Sequence, residues 1–337
     1  MNTDISRLVA LNQAQYRPGQ RTGHYESFYQ RANHPTEPLA FWIRYTIFSP
    51  HQRPEAAIGE LWAVFFDGTT GQHAVVKQEY PIAECAFDRT APATARVGDS
   101  VLAPGRLRGG GTSLGDSIEW DLTYTGDQPP LYLLPHRLYR GGVPKAKSLV
   151  GTPAARYRGV LSVNGRAIEV SDWIGSQNHN WGSRHTDHYA FGQVAGFDGH
   201  PDSFLEVVTA RAKLGPLTLP FMTFVVVRHD GREHSLVSLA QARRADAGFG
   251  YFHWDFSSAS DAVRLTGRIT ARPADFVGLN YYNPPGGIKH CLNTKIGSCR
   301  LEITNLRTGS QQTLHADGRA LFEILTDDRS HDIPIRA

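Results

Sequence analysis

The chain has 337 residues, enough for one large or two ordinary domains, each with its own core. Its 35 basic and 32 acidic residues leave a net charge of +3, too balanced to point to nucleic acid as the main partner. At 40% hydrophobic and 20% charged it is not a disordered chain, and 33 Gly and 20 Pro beside many aromatics favour a turn-rich β protein.

In chain order, Asp4 can cap a short N-terminal helix with Ile5, Leu8, Val9 and Leu11 on one side, stopped by Pro18. Strand-like runs follow at 41–48, ending at Pro50, and at 61–66, ending at Asp67-Gly68. Residues 117–124 alternate cleanly: Ile118, Trp120, Leu122 and Tyr124 face one way, Glu119, Asp121 and Thr123 the other. Residues 126–147 hold Pro129, Pro130, Pro135, Gly141, Gly142 and Pro144, the densest run of breakers in the chain. This places a domain junction at its end, dividing the chain into 1–147 and 148–337. Strand patterns resume at 157–163, 166–172, 189–197, 204–212, 221–228, 250–256, 263–270, 299–306 and 321–325. Short strands separated by turns predict an all-β architecture, two consecutive barrel- or sandwich-type domains.

Cys85, Cys291 and Cys299 are odd in number and lack metal-ligand spacing, so they read as free thiols in a reducing compartment. The start, MNTDISRLVALNQAQ, has no cationic opening and no long apolar core, so it is not read as a signal peptide. No run approaches the ~20 apolar residues of a membrane span. The expectation is a cytoplasmic protein without a transmembrane segment, free to make transient membrane contact. The oligomeric state is not legible.

Several motifs are decoys. Residues 111–115 match G-x-S-x-G, but a glycine-rich loop precedes them and an alternating strand follows, where a nucleophile elbow needs a strand and then a helix. No phosphate loop and no G-x-G-x-x-G opening a helix occurs. Arg243 and Arg244 read as solvated surface. His185, Asp187 and His188 offer zinc- or iron-type ligands, with His179 or His229 able to complete a set. On a strand, however, 185 and 187 share a face and 188 points away, so a hydrogen-bonded network is preferred and no metal or cofactor is expected.

Functional side chains are densest at 173–189, WIGSQNHNWGSRHTDHY. One reading is a polar turn with Trp181 plugging a barrel end. The preferred reading is a pocket rim, with Trp173, Trp181 and Tyr189 as walls and His179, Arg184 and His185 as polar contacts. A second concentration at 24–29 and 33–35 puts Glu26 among aromatics, either as a buried acid with raised pKa or as a structural carboxylate paired to Arg44. Residues 281–287 read as a loop, or as a lid over a pocket.

Glu26-Ser27-Phe28-Tyr29, Phe41-Trp42-Ile43-Arg44, Pro144-Lys145-x-Lys147, Gly159-Val160-Leu161 with Asn164-Gly165, Asn178-His179-Asn180-Trp181-Gly182 and Tyr189-Ala190-Phe191-Gly192 form a series. In that order it resembles the lipocalin-like superfamily of carotenoid 1,2-hydratases (CrtC) and AttH proteins. Fungal lipocalin-like pericyclases and, more distantly, tocopherol cyclases share that structural group. The resemblance implies two lipocalin-like β domains side by side, an apolar pocket in or between them, and chemistry without a cofactor on polyenes, isoprenoids or polyketides. Where the hydratases carry an aspartate as proton donor this chain has Asn178, and an amide cannot protonate an alkene. The acid must then come from His179, Asp187, Glu26 or Asp172.

The resulting expectation is a hydratase or cyclase acting on a hydrophobic isoprenoid-like or polyene substrate by proton transfer to an alkene. His179, Asn178, Asp187 and Glu26 form the catalytic set, with His179 as acid or base and Asn178 and Asn180 orienting it or a water. Trp173, Asn180, Trp181, Arg184, His185, Tyr189, Tyr25 and Trp42 contact the substrate, Arg184 at its polar end. The rivals are a non-catalytic carrier of a lipid or terpenoid in a lipocalin-like cup, and a metal-dependent enzyme using His185, Asp187 and His188.

Overall fold

The computed structural model describes residues 10–211, 213–214, 217–328 and 330–337. The helix expected from Asp4 falls largely on residues outside this set; the described chain opens with a single 3₁₀ turn, Ala10–Asn12. Two large antiparallel sheets dominate the rest, beside a two-stranded ribbon of Lys213–Leu214 and Leu217–Thr218, and Leu239–Arg244 is the one α-helix among the described residues, capped by Ser238.

In the first sheet the strands lie side by side as Ala74–Pro81, Ile58–Asp67, Leu39–Ser49, His24–Asn33, Arg166–Gly182, Ala146–Val163 and Asp116–Thr125. Arg106–Ser113, Ser100–Ala103, Ala95–Val97 and Cys85–Phe87 continue it, and the sheet curls until Ala74–Pro81 meets Arg106–Ser113 and Asp116–Thr125. The near-barrel interior is filled by Phe28, Phe41, Tyr45, Phe65, Trp120, Tyr157 and Trp173. It is a packed core, not a cup. The second sheet runs Arg232–Leu236, Met222–His229, His200–Arg211, His188–Phe197, Gln311–Thr326, Ile288–Asn305, Val263–Thr270, His253–Ala259 and Asp246–Phe249.

The predicted alternation at 117–124 is borne out: in Asp116–Thr125 the apolar residues are buried and Glu119, Asp121 and Thr123 exposed, as in a sheet with one wet face. His24–Asn33, Leu39–Ser49 and Ile58–Asp67 differ, being buried along nearly their whole length. Their odd and even residues serve two cores. Phe28, Phe41, Ile43, Leu61 and Phe65 point into the near-barrel, whereas Tyr29, Trp42, Trp62, Val64 and Phe66 pack against Val277, Leu279, Tyr281, Cys291 and Leu325 of the other half. A second apolar contact joins Leu133, Val150 and Ile174 to Phe191, Phe204, Phe224 and Leu321. The two sheets therefore meet face to face along a continuous seam.

The passage between sheets does not fall at 147/148, where the breaker run placed the junction. Ala146–Val163 pairs with Asp116–Thr125, and Arg166–Gly182 pairs with His24–Asn33, so both stay in the first sheet and the chain crosses at 183–187. The breakers make an excursion with the 3₁₀ turn His136–Tyr139, after which long-range pairing reclaims the chain. The G-x-S-x-G segment is the hairpin between Arg106–Ser113 and Asp116–Thr125, with no elbow and no helix. No described helix is long and apolar enough to cross a membrane.

Candidate functional site

Arg166–Gly182 runs straight through the polar cluster that the sequence suggested was a rim. Its hairpin closes at Asn164 and Gly165, both at positive φ (52° and 79°), as a two-residue turn requires. Because strand side chains alternate, Asn178 and His179 leave on opposite faces. Trp173, His179 and Trp181 face the first sheet's interior side; Ser176, Asn178 and Asn180 face the seam.

On the interior side, His179 lies flat between Phe28 and Trp181, with ring centroids 4.2 and 4.5 Å away. Its Nε2 is 2.8 Å from Glu26 Oε1 and its Nδ1 is 2.8 Å from the Leu11 carbonyl oxygen. The fully buried Glu26 carboxylate also accepts from the Gln15 N–H (2.6 Å), the Tyr16 N–H (2.7 Å) and His24 Nε2 (3.0 Å). Burial alone would raise its pKa, but the hydrogen bonds from His179 and His24 win and hold it at about 2. Glu26 is thus a carboxylate that fastens residues 11–16 across the strand pair, and it does not pair with Arg44. Trp181 packs with Tyr139 and Leu149, and Trp173 lies in the core stacked on Phe41.

The seam gathers the other expected contact residues. Tyr25 stacks on His185 with centroids 3.9 Å apart, and Tyr281 lies 5.9 Å from His185 on a near-parallel plane. The Arg44 guanidinium sits 4.5 Å over Tyr281 and 5.8 Å from Trp42, and Trp42 adjoins Tyr29 at 6.4 Å. Tyr189 packs beside the same apolar group. Tyr25, Arg44, Thr46, Phe48, Glu60, His185, Tyr281 and Tyr282 enclose a pocket of about 10 Å³, the space of one water. Arg44 Nε and Thr46 Oγ1 are buried there with no partner among the described residues. Glu60 holds Lys77 at 3.1 Å, and the Lys77 ammonium lies over Trp62 and Tyr282 at 4.6 and 4.4 Å.

Burial dominates the ionisation of this pocket. It drives His185 down to about 3, helped by the positive charge of Arg44, so the imidazole is neutral. It raises Glu60 against the opposing pull of Lys77 and Arg44, and raises the Tyr25 hydroxyl. Deeper in the seam, Gln193 donates to Asn178 Oδ1 at 2.9 Å and approaches Glu206 Oε2 at 3.4 Å, while Arg31 donates to Gln193 Oε1 at 2.9 Å. Burial pushes Glu206 up to about 8 against the Gln193 bond and the charges of Arg31 and Arg228. Lys295 bridges to Glu323 at 2.9 Å, and Asn293 donates to the same oxygen at 2.8 Å.

The structure brings Tyr25, Trp42, His185 and Tyr189 together at the seam and sets Asn178 and Asn180 on the same face. It does not bring Glu26, His179, Trp173 and Trp181 there. Arg184 pairs with Asp187 in the crossing loop, half exposed. His188 turns to Phe221 and Phe249, so His185, Asp187 and His188 do not converge on one point. Thr46, Glu60, Gln193 and Glu206 are seam residues the sequence reading passed over, and Arg44 entered it only as a partner for Glu26 and as part of a motif. Glu206 had a signal: it is the one charge inside Phe204-Leu205-Glu206-Val207-Val208. A wider cleft of about 330 Å³, lined by Asn280, Ile288, His290, His331, Ile333 and Ile335, holds none of the expected site residues.

No family model and no curated protein matches the sequence. Solved structures do match the fold. The protein assigned as AttH in Nitrosomonas europaea aligns over 90% of this chain and 92% of its own, at 12% identity and a TM-score of 0.58. Kievitone hydratase from Nectria haematococca aligns over 94% and 92%, at 12% identity and 0.57. CghA with Sch210972 aligns over 90% and 88%, at 12% identity and 0.54. These are lipocalin-like proteins, so the architecture is lipocalin-like, as the motif series implied. At this identity the likeness is one of fold.

Proposed function

We propose that the seam pocket is the active site of a cofactor-independent hydratase or cyclase acting on a hydrophobic polyene or isoprenoid-like substrate. The observation that carries this reading is Arg44, a buried guanidinium between aromatic faces that lines a pocket built by both halves of the chain and has an Nε with no partner among the described residues. An unsatisfied buried donor costs about 1–3 kcal/mol, so it favours a ligand that supplies an acceptor. That a hydratase is among the proteins of this fold supports the reading at the level of architecture.

Arg44 also narrows the substrate. A free carbocation ~5 Å from a guanidinium would be opposed by about 3 kcal/mol at an effective dielectric of 20. The favoured substrate therefore carries an oxygen function conjugated to its alkene, and Arg44 stabilises negative charge developing on that oxygen. Glu60, whose carboxyl burial raises against the pull of Lys77 and Arg44, is the group we assign to deliver a proton to the alkene carbon as water or an internal nucleophile adds. The proton released by the adding water restores the Glu60 carboxyl, so the step is proton-neutral, and His185, kept neutral by burial, adds no charge beside Arg44. Tyr25, Phe48 and Tyr281 hold the apolar body of the substrate in a reactive shape.

The pocket in this closed form is water-sized, so substrate entry requires the seam to open. The test is solvent extraction of the fresh protein with mass spectrometry, then turnover of any recovered compound, and of conjugated polyenones and unoxidised polyenes, by wild type and variants. Glu60→Gln should lower kcat by ~10²-fold or more and Arg44→Met by a similar factor, measured on variants that circular dichroism shows to be folded. Binding without chemical change in wild type would establish a carrier instead. Full turnover by both variants would remove the seam pocket from the reaction.

A further inference from the structure

A second constellation lies away from the seam pocket, at one end of the second sheet. His200 opens the strand His200–Arg211, and His229 closes its neighbour Met222–His229. Those strands pair in antiparallel register from Phe204 opposite Arg228, so the two hairpin ends stand side by side. Asp230 follows in the turn, at a φ of 47° with Gly231 at 70°, which swings its carboxylate back toward both rings. His229 Nε2 lies 3.2 Å from Asp230 Oδ2, and His200 Nδ1 lies 3.9 Å from Asp230 Oδ1. The two rings are 4.8 Å apart and steeply inclined, at 71°. One ligand atom from each of the three residues falls within 4.8 Å of the others.

We propose that His200, His229 and Asp230 form a binding site for a divalent transition metal of the zinc class. Two imidazoles and a carboxylate are the donor set zinc takes, at ~2.0–2.2 Å from the ion, which puts neighbouring ligand atoms roughly 3.4 Å apart. The 3.2 and 3.9 Å separations run to the two different oxygens of Asp230, and a set of one ligand atom per residue spans up to 4.8 Å, so closing on an ion requires the side chains to draw together by about 1 Å.

His229 supplies the independent observation. Its side chain is 5% exposed, and its Nε2 makes no aligned hydrogen bond despite the nearby carboxylate. Its other nitrogen, Nδ1, is 2.8 Å from the buried Ser203 hydroxyl. A ring fixed through one nitrogen, with the other left without a hydrogen bond beside a carboxylate, is how metal-bound histidines are oriented by their outer partners. His200 and Asp230, partly exposed at 36% and 65%, leave the fourth position open to solvent and provide an entry path. The ion would staple the two hairpin ends.

The test uses the full chain after chelator treatment and dialysis, titrated with zinc by calorimetry. One saturable site per chain is expected, together with a rise in melting temperature on adding zinc. His200→Ala, at a partly exposed position that need not disturb folding, should remove both effects, as should His229→Ala. Ser203→Ala should weaken binding by about 10-fold. His234→Ala, on the next strand, should leave it unchanged. No saturable binding by wild type overturns the site, and so does undiminished binding by His200→Ala. Neither result bears on turnover at Arg44 and Glu60.

Discussion

At the scale of single residues, two buried glutamates are held in opposite states by their surroundings. Glu26 has four donors and is kept ionised, at about 2. A carboxyl lowered on folding stabilises the fold above its unfolded pKa and loses that contribution as pH falls through the folded value. Stability from Glu26 should therefore be full above about 4.5 and fade toward about 2. Glu206 behaves the other way. Raised to about 8, it favours the fold most below about 4.5, and that contribution is lost as pH climbs to about 8. Urea midpoints of Glu206→Gln should accordingly decline less than those of wild type between pH 5 and 8. Parallel curves would show that Glu206 ionises freely. Replacing His179 by Ala removes one member of a buried pair and should cost about 3–5 kcal/mol. Chemical denaturation measures this directly, and a loss under 1 kcal/mol would mean that Glu26 finds another donor.

At the scale of elements, the strand Arg166–Gly182 does the most to position side chains. It separates a structural clamp on one face from the seam on the other, and it does so by lying tight against His24–Asn33. Gly175 marks the closest approach: a Cβ there would collide with the Arg31 carbonyl and with Ala32. Gly175→Ala should therefore push the strands apart and destabilise by roughly 1–3 kcal/mol or more. Gly248→Ala, in another strand, meets nothing within 4 Å and should be near neutral or slightly stabilising. Equal melting temperatures for the two variants would contradict the packing described.

At the scale of the whole molecule, the two sheets share their apolar faces, so neither is complete without the other. Trp42, Trp62, Phe66, Val150 and Ile174 would face water if residues 1–183 were expressed alone. An exposed apolar face of that extent leads to association. The fragment is expected to be insoluble or to bind a hydrophobic dye strongly, and to be rescued by co-expression of 184–337. A soluble, cooperatively melting fragment would show that the seam is an accessory contact.

Much was legible in the residues alone. The alternation of Ile118, Trp120, Leu122 and Tyr124 fixed a one-sided strand, because the side-chain period of a strand is two. The Asn164-Gly165 pair marked a hairpin, because few other residues accept two successive positive φ values. The β class and the lipocalin-like architecture were readable from turns, aromatics and the order of short motifs. The unbroken apolar run at 61–66 was a further sign, since a strand that alternates with nothing polar is buried on both sides. Tertiary structure decided the rest. Whether Asn178 and His179 act together depended on 173–182 being strand, since adjacent strand residues cannot share a face. Which charges would be buried depended on two sheets distant in sequence closing on each other, over Arg44 and Glu60 on one side and Glu206 on the other. Local sequence carries period and turn chemistry, but burial and pKa are set by what packs on top, and that is a long-range property of the fold.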